Sequence, residues 1–564
     1  MPIYYVDSNV PDTYPYSATP DFTTYNHLTF EPGGGSDLVY KTIADINVCS
    51  FNPGDQILFR KGCVWREQLE ITSSGSEDNP IIFGSYGVGD NPTINGANII
   101  TSWIEYNTNI WQSTLTTEPS QIYFNETHGT NVSSILLCDG VNKWYWTSNI
   151  LYVYSTSNPN TAYTNPGIEA SVRTNIITVN NRNNIIIQNI TIKYSKISTI
   201  GSIYINNGTN IIIDSIIVND NDGFAGIYIE GNGNNSIIKN SIIYNTRHTI
   251  SDRGVGILID GNGGYHTVQN CEVHSNTGAG ISSGLYTVSN NGIILGNRCY
   301  LNGGAGIEVK GSVSAQPNNW IIQNNEIYSN GQLIADIYGI DMFRIGNNNT
   351  VRYNLVHDGH FISISAGGIR FDGGSEAMPH PTIGSGNKIY YNIIYNEYNG
   401  ISNYRTPLGS EIYNNLIYNS THYGVSIGDE YTNLVSFKNN IIHTSKVLLI
   451  YHNLTTNPDI DYNNYYDIDY TNKFYWNELR YSTFNEWKEV SSQDSNSINS
   501  DPLFINIIEK DYHLLINSPC INKGTNIGLG FDYDGNSILN TPDIGVYEYN
   551  SGECPQIIVN FIIS

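Results

Sequence analysis

The sequence predicts an all-β solenoid, a parallel β-helix, and three observations carry that expectation. First, an asparagine closes a short apolar phrase about once every 28 residues: NIIIQN ending at Asn189, SIIKN at Asn240, HTVQN at Asn270, IILGN at Asn297, WIIQN at Asn324, TVRYN at Asn354, KIYYN at Asn392, EIYNN at Asn415 and SFKNN at Asn440, with Ser215 in the same slot of IIIDS. A repeat of that length is one supersecondary unit stacked on its neighbours. Second, each repeat holds short β-branched strands broken by Asn-Gly, Asn-Asn and Gly-Gly turns. Third, helical periodicity is absent. Asn suits a recurring corner because it tolerates left-handed backbone and its amide can hydrogen-bond to the coils on either side. The asparagines therefore read as a ladder, not as a site.

In chain order, residues 1–100 read as an N-terminal cap and first coils. The phrase NPGDQILFRKGCVWREQLEI (52–71) sets a Pro-Gly-Asp turn before alternating strand residues, and NPIIFGSYGVGDNPTINGA (79–97) repeats the pattern. Residues 101–175, bearing Trp and Tyr, read as a strand and loop excursion. Residues 176–450 hold the regular repeat. Residues 451–564, rich in Tyr and Asp and carrying DPLF (501–504) and DIGVYEY (543–549), read as C-terminal coils and a covering cap.

The chain has 564 residues and a formal charge of -25, from 51 acids and 26 bases. That balance argues against nucleic acid as partner, whose footprint is a basic surface. Charged residues are only 14% of the chain, so Asn, Ser, Thr, Gly and Tyr carry the polarity, which suits hydroxyl-rich ligands such as glycans. Seven scattered cysteines give no disulfide framework and no zinc pattern. Cys271 and Cys299, 28 apart, are expected as buried thiols. No apolar run is long enough to span a membrane. The start, MPIYYVDSNVPD, lacks a basic stretch followed by an apolar one. The expectation is an extracellular or cell-surface protein whose signal has been removed, or a virion protein, which needs none.

A second column opens another strand with Gly followed by Ile or Val: GIYIE (226–230), GILID (256–260), GISSG (280–284), GIEVK (306–310), GIDMFR (339–344), GIRFD (368–372), GISNYR (400–405) and GVSIG (424–428). Strand residues alternate faces, so the second and fourth positions after each Gly should point outward. They include Tyr228, Asp260, Glu308, Lys310, Asp341, Arg370, Asp372 and Tyr404, with Arg344 and Arg405 at strand ends. Coils stack about 4.8 Å apart, so Glu308, Asp341 and Arg370 should lie over one another. Such a patch in a charge-poor chain reads either as a salt-bridge ladder or as a groove for an extended polymer. His357, His360 and His380 fall in loops around the same coils, and His380 should border the strand of Arg370 and Asp372. Tyr404 and Trp476 offer surfaces for sugar rings, though core or cap packing is the better reading of Trp476 and Trp487.

The cap phrase, the repeats and the tail DPLF…SPCINKG…DYDGN…PDIGVYEY together resemble bacterial right-handed parallel β-helix proteins of the pectin-lyase-like superfamily, over almost the whole chain. That superfamily includes polysaccharide lyases, glycoside hydrolases, epimerases, phage tailspikes and adhesins, so the fold does not give the function. GIEVKGS followed one coil later by FRIGNNNTV is similar to the Lys-then-Arg pattern of its alginate and chondroitin lyases. That resemblance implies β-elimination on an acidic, uronate-containing polymer, with Lys310 as base and Arg344 as acid. It also implies calcium held against the substrate carboxylate by Glu308 and Asp341, with Asp260 as a further ligand. The chain departs from the pattern at Ile345, where those lyases place histidine. A regular strand would also turn Arg344 inward, which makes Arg370 the substitute. Arg405, Tyr404, His380 and Tyr228 are the expected substrate contacts. A glycoside hydrolase using two of Asp260, Glu308, Asp341 and Asp372 is the second reading. A non-catalytic glycan-binding, adhesion or virion spike protein is the third. A monomer is expected, or a homotrimer in the spike case.

Overall fold

The computed structural model describes residues 2–10, 25–32, 38–250, 253–284, 286–312, 314–334, 336–360, 366–374, 384–406, 409–428, 432, 434–443, 445–451, 458–467, 473–476, 479–538 and 540–550. The chain divides into two compact units, residues 1–258 with 276–278, and residues 259–275 with 279–564. Each is wound from short parallel strands in three sheets, the right-handed β-helix the sequence predicts. Among the described residues no helix is long and apolar enough to cross a membrane.

In the first unit a capping box of Thr42 and Asp45 starts a one-turn helix, Ile43–Asn47, which lies on the strand Leu69–Ile71. The strands Thr93–Asn95 and Thr191–Lys193 pair directly as successive coils, Ile94 opposite Ile192. The chain between them leaves the helix. Residues 97–171 form two small sheets, mostly antiparallel, around a core of their own that includes Trp103, Ile122, Phe124, Trp144 and Leu151. This excursion is tied down at buried Glu169, which accepts from Arg66 at 2.5 Å and from the Asn95 amide at 3.0 Å.

In the second unit, one sheet runs through Ile281–Ser283, Ile307–Lys310, Tyr338–Phe343, Gly367–Asp372, Asn399–Tyr404, Tyr423–Ile427, Val447–Tyr451 and Phe474–Trp476. Ile and Val at the inward positions fill the interior: Ile307, Ile340, Ile369, Ile401 and Val425 are fully buried and stacked in register. The helix Phe484–Ser491, capped by Thr483 and Glu486, places Trp487 against Phe474. The tail packs Tyr512, Leu514, Cys520, Ile544 and Val546 against Tyr390, Tyr391, Leu416 and Ile441. Cys271 and Cys299 are buried free thiols.

The periodic asparagines fall into two neighbouring columns, not one. Asn297, Asn325, Asn354, Asn392, Asn415, Asn440 and Asn463 form the buried ladder. The main-chain N–H and the amide of each donate to Oδ1 of the next, all at 2.9–3.1 Å. Asn189, Ser215, Asn240, Asn270 and Asn324 lie one residue earlier, at the corner itself, with φ of 52–55°. The sequence merges the columns because both favour Asn, one for left-handed backbone and one for its amide, and because they adjoin in the Asn-Asn pairs 324–325, 414–415 and 439–440.

Asn354→Ala would leave the Asn325 N–H without its acceptor, take one of three acceptors from the Asn325 amide, and take the Asn354 amide from the Ile322 carbonyl. Stranded buried polar groups cost about 1–3 kcal/mol each, so urea unfolding should show a loss of about 2–4 kcal/mol. The corner variant Asn324→Ala should lose about 1–2 kcal/mol, from left-handed backbone strain alone.

Candidate functional site

The Gly-Ile column places its polar residues in two rows on one sheet of the second unit. Ser282, Glu308, Asp341, Arg370, Ser402 and Ser426 are successive partners across the coils. Lys310, Phe343, Asp372 and Tyr404 form the parallel row two residues on.

Every carboxylate in these rows is buried and engaged. Arg370 grips Asp341 with two bonds, Nε to Oδ1 at 2.8 Å and a terminal nitrogen to Oδ2 at 2.6 Å. Glu308 accepts from Ser282 Oγ at 2.7 Å and pairs with Lys310 Nζ at 2.7 Å. Asp372 accepts the Gly374 N–H at 2.8 Å and lies 4.0 Å from Arg370 and 3.9 Å from Arg405. The cations are the outer layer. Side-chain exposure is 24% for Lys310, 17% for Arg370 and 33% for Arg405, against 7%, 2% and 7% for Glu308, Asp341 and Asp372.

Burial shapes the ionisation of this patch. It works against the Arg370 guanidinium, but the charge and bonds of Asp341 and the charge of Asp372 outweigh it, and its pKa is raised. Burial is also the largest influence on Asp372 and pushes that carboxyl up. Arg370, the Gly374 N–H and Arg405 oppose it without cancelling it, the two guanidinium contacts being long.

Two aromatic rings set the Arg370 geometry. Its guanidinium lies 4.9 Å over Tyr338 and 5.5 Å from Phe343. Tyr338 donates to Ser402 Oγ at 3.0 Å, reaching past Gly367, its partner on the intervening coil. A Cβ at Gly367 would come within 2.9 Å of the Tyr338 ring. Sequence reasoning passed over Tyr338; its signal is a tyrosine immediately before the Gly of its own column, one coil ahead of a Gly-Gly pair.

Other expected site residues stand differently. Arg344 does not follow the strand: φ of 52° takes it out of the inward alternation. Its guanidinium lies 5.1 Å over Phe343 and its stem runs beside Gly374, against the turn that follows Asp372. Tyr404 bonds to Ser426 Oγ at 2.9 Å. Tyr228 belongs to the first unit and is buried against Phe224 and Tyr204, so it presents no surface. Asp260 spends Oδ1 on the N–H groups of Tyr286 and Thr287 and on the Thr287 hydroxyl. The donors expected for calcium do not fit it. Both oxygens of Asp341 hold Arg370, Glu308 holds Lys310, Asp260 anchors a loop, and among the described residues no three acidic, His or Cys side chains cluster as a metal site. His357 stacks between Tyr328 and Tyr395 on another sheet, and His360 lines a small cavity. His380 lies outside the described residues. Trp487 is fully buried, and Trp476 packs edge-on against it at 5.4 Å.

Residues 175–356 match the family described as the right-handed beta helix region. No curated protein matches the sequence. Among solved structures, the chain is similar to XylC in complex with xylose, at 14% identity over 97% of this chain and 98% of that one, TM-score 0.55. It is similar to a glycoside hydrolase at 10% identity over 72% of this chain and 95% of that one, TM-score 0.53. At such identities the likeness is one of fold. With the coil geometry above and the family match, it makes the chain a right-handed parallel β-helix repeat protein.

Proposed function

We propose that this face binds an acidic polysaccharide and cleaves it by β-elimination. One observation carries the reading: in a chain of net charge -25, Lys310, Arg370 and Arg405 stand outside three buried carboxylates on neighbouring coils. An uncharged sugar needs no such layer, whereas a uronate carboxylate pairs with guanidinium in two-bond geometry. The fold neighbours, named as a glycoside hydrolase and as a complex with xylose, support a carbohydrate as the ligand class. An extracellular or cell-surface setting goes with a polymer substrate.

β-Elimination needs three acts. The uronate carboxylate is neutralised, so that the adjacent C–H becomes acidic. A base takes that proton, and its electron pair forms the C=C bond. The bond to the leaving glycosidic oxygen breaks as a donor protonates that oxygen. Arg370, fixed by Asp341 and Tyr338, and Arg405 serve the first act. Lys310 serves the second, its amine taking the proton, and Arg344, one coil on, serves the third. No step needs a metal. The raised pKa of Asp372 favours one alternative, a hydrolase with Asp372 as general acid and Glu308 as partner carboxylate.

Absorbance of unsaturated uronate should rise when the protein meets one of a panel of acidic polymers. Lys310→Ala should lower kcat/KM by about 10²–10⁴, and Arg405→Ala should act mainly on KM. New reducing ends without absorbance would move the assignment to Asp372 and Glu308. No cleavage of any polymer would leave a binding face on a structural protein.

Arg370→Ala strands Asp341, and breaking a buried pair this way costs about 3–5 kcal/mol. Replacing both by apolar residues, Arg370→Met with Asp341→Leu, should recover most of that in urea unfolding while abolishing binding of the acidic polymer.

A further inference from the structure

The second unit has another ladder, at the corner between the sheet of Glu326–Tyr328 and the sheet of Tyr338–Phe343, and it is interrupted. Asn302 and Asn330 occupy its slot on successive coils. The Asn302 N–H donates to Asn330 Oδ1 at 3.2 Å and its amide does so at 2.9 Å. Pairing of Tyr328 with His357, His357 with Tyr395 and Tyr395 with Tyr418 puts Gly359, Glu397 and Ser420 in the same slot on the next three coils. Gly359 brings no side chain. The Glu397 carboxyl reaches back into the space: a Cβ at 359 would lie 2.5 Å from Glu397 Oε2. Its Oε1 accepts the Gly359 N–H at 3.1 Å, the bond Asn330 makes to Asn302. Beside it is a cavity of about 10 Å³, room for one water, lined in part by Asn330, Tyr338, His360 and Gly367.

The ladder amide is at once acceptor and donor. An ionised carboxylate only accepts, whereas a protonated carboxyl does both. Glu397 is 2% exposed, and the Gly359 N–H is its hydrogen-bond donor among the described residues. The titratable groups around it are Tyr328, His357, Asp358 and His360 on the neighbouring turns and Tyr338 on the adjacent strand; Gly339, Gly367 and Gly368 bring no charge. The charge felt at the carboxyl is that of Asp358, of its own sign.

We propose that Glu397 is a pH-sensitive positioning residue: protonated, it completes the corner ladder in place of the side chain missing at 359, and ionised, it loosens the strand that carries Arg370 and Asp372. The change is transmitted through the space beside Gly368. A Cβ at Gly368, in Gly367–Asp372, would lie 3.4 Å from Glu397 Cγ, so the glutamate stem fills the space beside this glycine at the start of that strand. Burial is the main cause that pushes the Glu397 pKa up to about 8, Asp358 adds to it, and the Gly359 N–H opposes both.

The sign follows from linkage. The unfolded glutamate titrates near 4.5, and the folded one holds its proton to about 8. Its contribution to stability is therefore complete below about pH 4.5 and is lost as pH rises through about 8. Glu397→Gln keeps an acceptor and a donor without titrating. The denaturation midpoint of wild type relative to Glu397→Gln should fall steadily between about pH 5 and 8 and then level off. Above about pH 8, amides of 359–360 and 366–372 should exchange faster in wild type than in Glu397→Gln at the same pH. The infrared carbonyl band of protonated carboxyl that disappears between about pH 6 and about pH 9.5 should be larger in wild type than in Glu397→Gln, the part common to both coming from Glu548 and Asp494, whose pKa values burial pushes up to about 7 and about 6. A midpoint difference that is flat with pH, or a protonated-carboxyl band near pH 6 that is the same in wild type and Glu397→Gln, would overturn the assignment. Each readout is independent of whether the neighbouring face cleaves a polymer.

Discussion

In the second unit everything hangs on coil-to-coil register, and the buried amide ladders hold it. A strand of three to five residues fixes little by itself, since a slip by one residue would turn its inward Ile to solvent. One residue past the corner each ladder asparagine accepts two bonds from one neighbouring coil and passes two to the next, so a slip would break several buried hydrogen bonds at once. Register fixed in this way turns a linear repeat into columns. Glu308, Asp341 and Arg370 are 33 and 29 residues apart in sequence and directly opposed in space.

The charged columns show how a chain poor in charge can still present a strong local field. Burying a carboxylate is costly unless it is paired. Asp341 is paired twice over by one guanidinium, and that guanidinium is itself held over the Tyr338 ring. The acids thus act as fixtures for the cations, which are the more exposed member of each pair. Long-range attraction of an anionic polymer is opposed by the overall charge, and salt screens that repulsion beyond about 8–10 Å while close pairs on the strip are screened much less. Such a face discriminates at contact more than it steers at a distance.

The sequence made the architecture legible wherever one physical demand acted on a column. Gly followed by Ile or Val recurs because the inward position needs an aliphatic side chain, and from that the opposition of Ser282, Glu308, Asp341, Arg370 and Ser402 could be read without structure. Legibility failed where two demands shared neighbouring positions. Asn324 and Asn325 satisfy the corner and the ladder respectively, and the letter is the same for both. It failed again where a backbone leaves the regular strand: Arg344 is taken from the inward side by a left-handed φ that nothing in FRIGN announces. Alternation alone marked Tyr228 as outward, but it is silent about the rings of Phe224 and Tyr204 that cover it.

Departures from a repeat are therefore the part of such a sequence richest in information, once the repeat itself is understood. In the slot where Asn302 and Asn330 stand, the next two coils carry Gly and Glu, in VHDGHF and YNEYNG. Either substitution alone would damage the ladder, Gly by leaving a void and an unmet donor, Glu by overfilling the slot with a group that cannot donate when charged. Together they are complementary in volume, because the longer side chain occupies the coil its neighbour has vacated. They are complementary in hydrogen bonding only while the carboxyl keeps its proton. The amide of an asparagine would meet both requirements at every pH, so the pair gives up that indifference and makes the corner beneath Arg370 answer to proton concentration.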